Sequence, residues 1–326
     1  MSDDYDNNNS SSSFTDEYPY LPLLTNKIKF WSYLTTLIPS IICLFFILYH
    51  FLFDRTLRNT LNNHVIIIVL IIGLLYDLTI YPWMIYYYHQ DGIWERSMNF
   101  CFIWTFIDWI FYVLQTILFA WATIERHILI FYDRLMSTKK RQFIFHYLPI
   151  IILIVYCLSF YIIVDFALPC ENIFSNDYMR CIYFCINDNY DFYMWETIAH
   201  QFIPALIIIV SSIALFIRVV WKKIRMHQPI QWRKQRKMSM QILMISFVYL
   251  LFYFPYTCLN FMYLCGFSYD LNPDVTDFLD FISYFMMLLL PFACMLTLPN
   301  IGNRIKGVVR VNWVTRTIFP TTRTTK

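Results

Sequence analysis

Glycine is nearly missing from this chain, with five in 326 residues. Loops that cradle phosphate need clustered glycines, so a nucleotide-binding loop of that kind is excluded. No His-Glu-x-x-His or Gly-x-Ser-x-Gly stretch occurs either, which removes two common hydrolase signatures. An enzyme is not expected. Charge is also scarce: 14% of residues, against about a quarter in soluble domains. After residue 30 there is no Gly/Ser linker, second composition block or internal repeat. Residues 1–29 lack a basic stretch leading into an apolar one, so no cleavable signal peptide is read there.

What the chain has in abundance is apolar surface. Hydrophobic residues make up 59% and aromatics 20%, and mean hydropathy is +0.49. Seven apolar spans are read at 31–53, 62–88, 98–131, 144–168, 190–224, 236–265 and 276–298. Each contains close to the twenty residues a helix needs to cross a bilayer. Pro82, Pro204, Pro255 and Pro291 fall inside spans, tolerated where neighbours satisfy the freed carbonyls. The expected fold is an all-α membrane protein, a seven-helix bundle over residues 30–298. A polar, acidic, Asn/Ser-rich tail (1–29) precedes it, expected to be disordered. The tail carries two overlapping glycosylation sequons at Asn8 and Asn9, meaningful if it is extracellular.

Orientation follows from the bias of Lys and Arg between alternate loops. Segments 54–61, 126–143, 218–237 and 299–326 hold 21 of the 25, leaving Lys27, Lys29, Arg96 and Arg180 on the other side. The amino terminus is therefore expected outside the plasma membrane and the carboxyl terminus in the cytoplasm. Cys101, Cys170, Cys181, Cys185 and Cys265 fall on the outer side, where disulfides persist.

The third span, CFIWTFIDWIFYVLQTILFAWATIERH, sets the functional reading. At about 100° and 1.5 Å per residue, Cys101, Asp108 and Arg126 share one helical face. The stretch from Cys101 to Arg126 covers roughly 37 Å, enough to cross a hydrocarbon core of about 30 Å. Trp94 stands seven residues before Cys101, and Glu125-Arg126-His127 ends the span. This pattern resembles the third helix of rhodopsin-like (class A) G-protein-coupled receptors, with their Asp/Glu-Arg-Tyr signature. The resemblance covers roughly residues 30–312 and departs from the family in places. Leu290-Pro291-Phe292-Ala293-Cys294 replaces Asn-Pro-x-x-Tyr, Tyr253 replaces a tryptophan, and Ser212 replaces a tyrosine. Leu153, Tyr49 and Asp133 also stand where the family has other residues.

The resemblance implies a cell-surface receptor that binds an extracellular ligand in the bundle and activates a heterotrimeric G protein. Cys101 would bridge to the second outer loop, at Cys181 or Cys185. Asp108 stands where amine receptors bind an ammonium, with Tyr284 as its brace; the plainer alternative is an acid simply bonded to Tyr284. Glu196 and His200 in span five would meet a second cationic group, as in a peptide, or pair with each other one turn apart. Tyr253 and Tyr256 would add aromatic faces for a cation. Asp77 stands where the family holds a sodium ion, although Gln115, Met287 and Leu290 occupy places that usually supply Ser or Asn. The alternative there is a neutral acid bonded to a neighbouring helix.

At the inner end, Glu125, Arg126 and His127 would couple to the G protein, with Arg126 paired to Glu125 at rest. The basic run from Arg218 to Lys237 would form a rim for the G protein or for anionic lipid headgroups. Residues 299–326 would supply a short membrane-surface helix and a threonine-rich cytoplasmic tail. Membrane lipid is an expected partner; nucleic acid is not. The competing classes are a transporter or channel, which would more often show repeat symmetry, and a seven-helix binder that does not signal.

Overall fold

The computed structural model describes residues 24–131, 138–166, 171–176, 179–225, 229–267 and 273–297. The amino tail with its sequons, and the surface helix and tail expected after residue 298, lie outside the described residues. Six helices are long and apolar enough to cross a bilayer: Asn26–Phe53, Asn63–His89, Met98–Leu129, Lys139–Phe166, Tyr190–Trp221 and Pro273–Leu296. A seventh crossing is the bent pair Ser239–Phe252 and Phe254–Leu264. Helices overrun the apolar spans at several ends; the first starts at Asn26, and its Lys29 pairs with Asp277 at 2.5 Å. The chain is a seven-helix membrane bundle.

The first helix packs on the second and seventh, the fifth on the sixth, and the sixth on the seventh. The third touches the second, fourth, fifth and sixth. Its central place explains why Cys101, Asp108 and Arg126 are all buried. The fourth helix is the opposite case. Only 17% of its apolar window is buried, against 61% in the second, and Ile151, Ile152, Val155, Ile162 and Ile163 point outward. In a bilayer these side chains meet lipid, whose tails are as apolar as a protein core.

Three departures from regular helix geometry stand beside prolines, while Pro39, Pro82 and Pro291 lie inside unbroken helices. Proline lacks an N–H and its ring crowds the carbonyl four residues earlier. Phe143–Tyr147, just before Pro149, and Glu196–Phe202, just before Pro204, are wide π-turns. The wide turn moves the carbonyls of Phe145 and His200 clear of the proline rings. Pro255 follows the break at Tyr253, where the sixth span bends by 47°. The seventh span breaks at Tyr284, between Pro273–Ser283 and Phe285–Thr297. There the Tyr284 carbonyl accepts from the Tyr81 hydroxyl at 2.6 Å.

At the Cys101 end, the connection between the fourth and fifth spans carries a short hairpin. Its strands, β1 (Ile173–Phe174) and β2 (Ile182–Tyr183), pair antiparallel with Ile173 opposite Tyr183. Cys101 is bonded to Cys181, with Cα atoms 5.5 Å apart, so Cys181 is the partner of the two weighed. Cys185 is also disulfide-bonded, while Cys265 is a free thiol.

Arg96 clamps this hairpin from the side. Its guanidinium donates to the carbonyls of Met179, Asn176 (2.9 Å) and Trp94 (3.1 Å). It also lies 5.1–5.5 Å from the ring centroids of Tyr87, Trp94 and Trp104. Burial pulls its pKa below the ordinary arginine value. Three charge-assisted bonds are worth roughly 1.5–3 kcal/mol each. Arg96→Ala is therefore expected to lower the thermal midpoint of the solubilised protein by several degrees. Arg96→Lys should recover less than half of that loss, because an ammonium cannot fork to three carbonyls; differential scanning fluorimetry reads both.

Candidate functional site

The disulfide places Arg180 beside Cys101, and Asp108 lies one heptad, about 10 Å, further along the same helix. The Arg180 side chain spans that gap. Its Nε donates to Asp108 Oδ2 at 2.7 Å, and an Nη hydrogen goes to the Tyr284 hydroxyl. Tyr284 in turn donates to Asp108 at 3.1 Å, and the Tyr76 hydroxyl donates to the other carboxylate oxygen. Asp280 stands 3.9 Å from the guanidinium, which lies 5.5 Å from the Trp109 ring and 5.9 Å from that of Tyr284. Burial pulls the Arg180 pKa down, but Tyr284, Asp108 and Asp280 facing it carry it above the ordinary value.

The backbone is held to this purpose. Cys181 has φ +49°, a left-handed conformation that costs a non-glycine residue of order 1–3 kcal/mol. The disulfide fixes one side of that turn and the Arg180 ion pair the other. Thr105 supports it by donating to the Arg180 carbonyl at 3.0 Å. With the guanidinium in place, the cavity lined by Asp108, Tyr112, Arg180, Gln201, Tyr256 and Asn260 measures about 30 Å³, space for a water or two. A roomier cavity, about 720 Å³, opens nearer the Cys101 end between Lys29, Tyr87, Tyr88, Met179 and Asp277.

Glu196 and His200 lie apart from Asp108, in the π-turn of the fifth span. Glu196 accepts from Tyr161 at 2.5 Å and from His200 Nδ1 at 2.6 Å, and His200 Nε2 meets the Tyr156 hydroxyl at 2.8 Å. The internal pair anticipated as an alternative is thus present. Tyr253 is one ring removed from Asp108, packed on Tyr112 and Tyr249 at centroid distances of 5.1 and 4.6 Å. Tyr256 lines the Asp108 cavity directly.

Asp77 is fully buried and accepts from Ser40 at 2.7 Å. Gln115 points its amide toward Met286 Sδ at 3.8 Å. Asp77 Oδ1 and Gln115 Oε1 are buried with no hydrogen-bond partner among the described residues. The bond to a neighbouring helix, the plainer reading, is the one Ser40 makes to Asp77.

At the other end of the third helix, Arg126 is buried. Glu125 accepts from His146 Nδ1 in the π-turn before the fourth helix. His146 Nε2 meets His64 Nδ1 at 3.1 Å, and His64 Nε2 donates to the Arg58 carbonyl at 2.8 Å. His127 ties the third helix to the fifth, donating from Nε2 to the Ser211 carbonyl at 2.8 Å.

Several of these residues escape a reading of the sequence. Arg180 sits in a loop, so only the disulfide reveals its reach to Asp108. Tyr76, His64 and His146 lie on other helices from the groups they meet. Asp165 is a further buried acid, 9% exposed, near the end of an apolar span where its inward direction leaves no trace in the pattern.

Comparison with curated proteins gives no match. Over residues 44–297, the chain matches the family described as 7 transmembrane receptor (rhodopsin family). That span takes in all but the first turns of the bundle, including the disulfide-bridged third helix, Asp108 and Arg126. The chain belongs to this family and is a rhodopsin-like, class A G-protein-coupled receptor.

Proposed function

We propose that this receptor sits in the plasma membrane with its amino terminus outside. There it binds an extracellular amine or peptide through a cationic group at Asp108 and passes the resulting helix shift to Arg126 and a heterotrimeric G protein. The observation that carries this reading is the seat at Asp108: a buried carboxylate with two tyrosine hydroxyls and a guanidinium already on it. The arrangement is complementary to a cation, and the chain's own Arg180 satisfies it in the absence of ligand. An incoming ligand exchanges its cation for that guanidinium. Leaving either partner of such a buried pair alone costs about 3–5 kcal/mol, so the exchange demands a real replacement charge. Arg180, 29% exposed at its side chain, can withdraw toward water, where solvation offsets its loss.

Two substitutions test the seat and the output separately. A panel of amines and cationic peptides is screened on cells with a G-protein activation readout. Asp108→Asn is expected to weaken potency about ten- to a hundredfold, the value of one charge-assisted bond. Arg126→Ala should leave binding within a few-fold and abolish activation. Unchanged potency in the first variant would sink the cation seat; full signalling in the second would sink the arginine's role and favour a binder that does not signal.

A second reading has its own observation: the seat is already filled. The loop then acts as a tethered ligand and the receptor signals unaided. Arg180→Gln separates the two in a ligand-free assay of basal G-protein activation. Basal activity at or above wild type, with agonist potency raised at least severalfold, is expected from competition. A fall in basal activity is the mark of the tethered ligand.

A further inference from the structure

The Asp108 seat has its counter-cation built in; no ion pair is seen for Asp165 among the described residues. Asp165 lies in the last turn of the fourth helix and is 9% exposed. Its Oδ2 is buried with no hydrogen-bond partner among the described residues. It lines a cavity of about 10 Å³ together with Trp109, Tyr161, Phe184, Phe192 and Glu196. We propose that Asp165 and Glu196, walled by these aromatic rings, form a second cation site that accepts a primary ammonium, such as an alkyl amine or a lysine side chain. This rests on the reading that the receptor takes cationic ligands, and it names the chemistry and place of a separate contact.

Each part of the cavity has a physical role in that recognition. A buried carboxylate oxygen without a donor is a cost the fold keeps, and a bound ammonium N–H removes it. Glu196 is held in place by Tyr161 and His200, yet each carboxylate oxygen retains a further lone-pair site. Four aromatic side chains suit an organic ammonium through cation–π contact. They suit a hard metal ion poorly, since it takes oxygen ligands. The volume matches one water-sized group, which admits a compact ammonium and excludes a planar guanidinium. Trp109 lines this cavity and that of Asp108 alike, so a ligand bearing two cations meets both acids around a single indole.

The test uses the full-length receptor in lipid nanodiscs with n-butylamine as the probe and 1-butanol, butylguanidine and sodium chloride as controls. Thermal midpoint is measured against probe concentration. The expected result is stabilisation by n-butylamine alone, with apparent affinity at least about tenfold weaker in Asp165→Asn and in Glu196→Gln. Tyr49→Phe, outward on the first helix and in neither cavity, should keep the response. The ligand-free midpoint of Asp165→Asn should equal or exceed that of wild type, since the neutral amide relieves an unmet charge without breaking a bond. A lowered ligand-free midpoint, or failure of this variant to fold, shows that the carboxylate has a structural partner and overturns the proposal. So does a response that survives in Asp165→Asn, that sodium chloride or butanol reproduces, or that is absent in wild type. A response lost in Asp108→Asn but kept in Asp165→Asn overturns this site and leaves the seat at Asp108 standing.

Discussion

A carboxylate in the middle of a membrane bundle must be answered by positive charge or by protons, because lipid supplies neither. Asp108 is that carboxylate, and much of the Cys101 end is arranged around it. The bridge from Cys101 to Cys181 sets Arg180 at the right height, and the left-handed turn at Cys181 aims it inward. Thr105 holds the backbone of the turn, while Arg96 fixes the hairpin behind it. Tyr76 and Tyr284 fill the remaining lone pairs. Removing any one of these would leave the others oriented toward a partner that no longer stands in place.

The helices obey a second constraint, that no backbone group can be left open in hydrocarbon. Helix irregularities strain that rule locally, and the bundle uses three of them. The π-turn before Pro204 carries Glu196 and His200, and the one before Pro149 carries His146. The break at Tyr284 offers its carbonyl to Tyr81 and its hydroxyl to Asp108. Polar side chains that meet in the interior thus cluster where the regular ladder is interrupted.

The number of crossings and the inward face of the third helix were legible in the sequence for one reason. Both rest on periodic or length-limited features, an apolar run long enough for a bilayer and a heptad-like spacing of Cys101, Asp108 and Arg126. Partner choice was not legible. In a helix as apolar outside as inside, such as Leu148–Phe166, hydrophobic periodicity carries no direction, so Asp165 gives no sign that it faces inward. The contact of Glu125 with His146 depends on how another helix approaches.

The contact between Lys29 and Asp277 joins the first helix to the last and so closes the ring of seven at its mouth. The lysine is buried, but the Asp277 side chain is 51% exposed. A clasp half in water is screened over a Debye length of about 8 Å at physiological salt, so its grip slackens as the medium grows more saline. The width of the vestibule beneath it is then set partly by the ionic composition of the fluid bathing that end rather than by the protein alone.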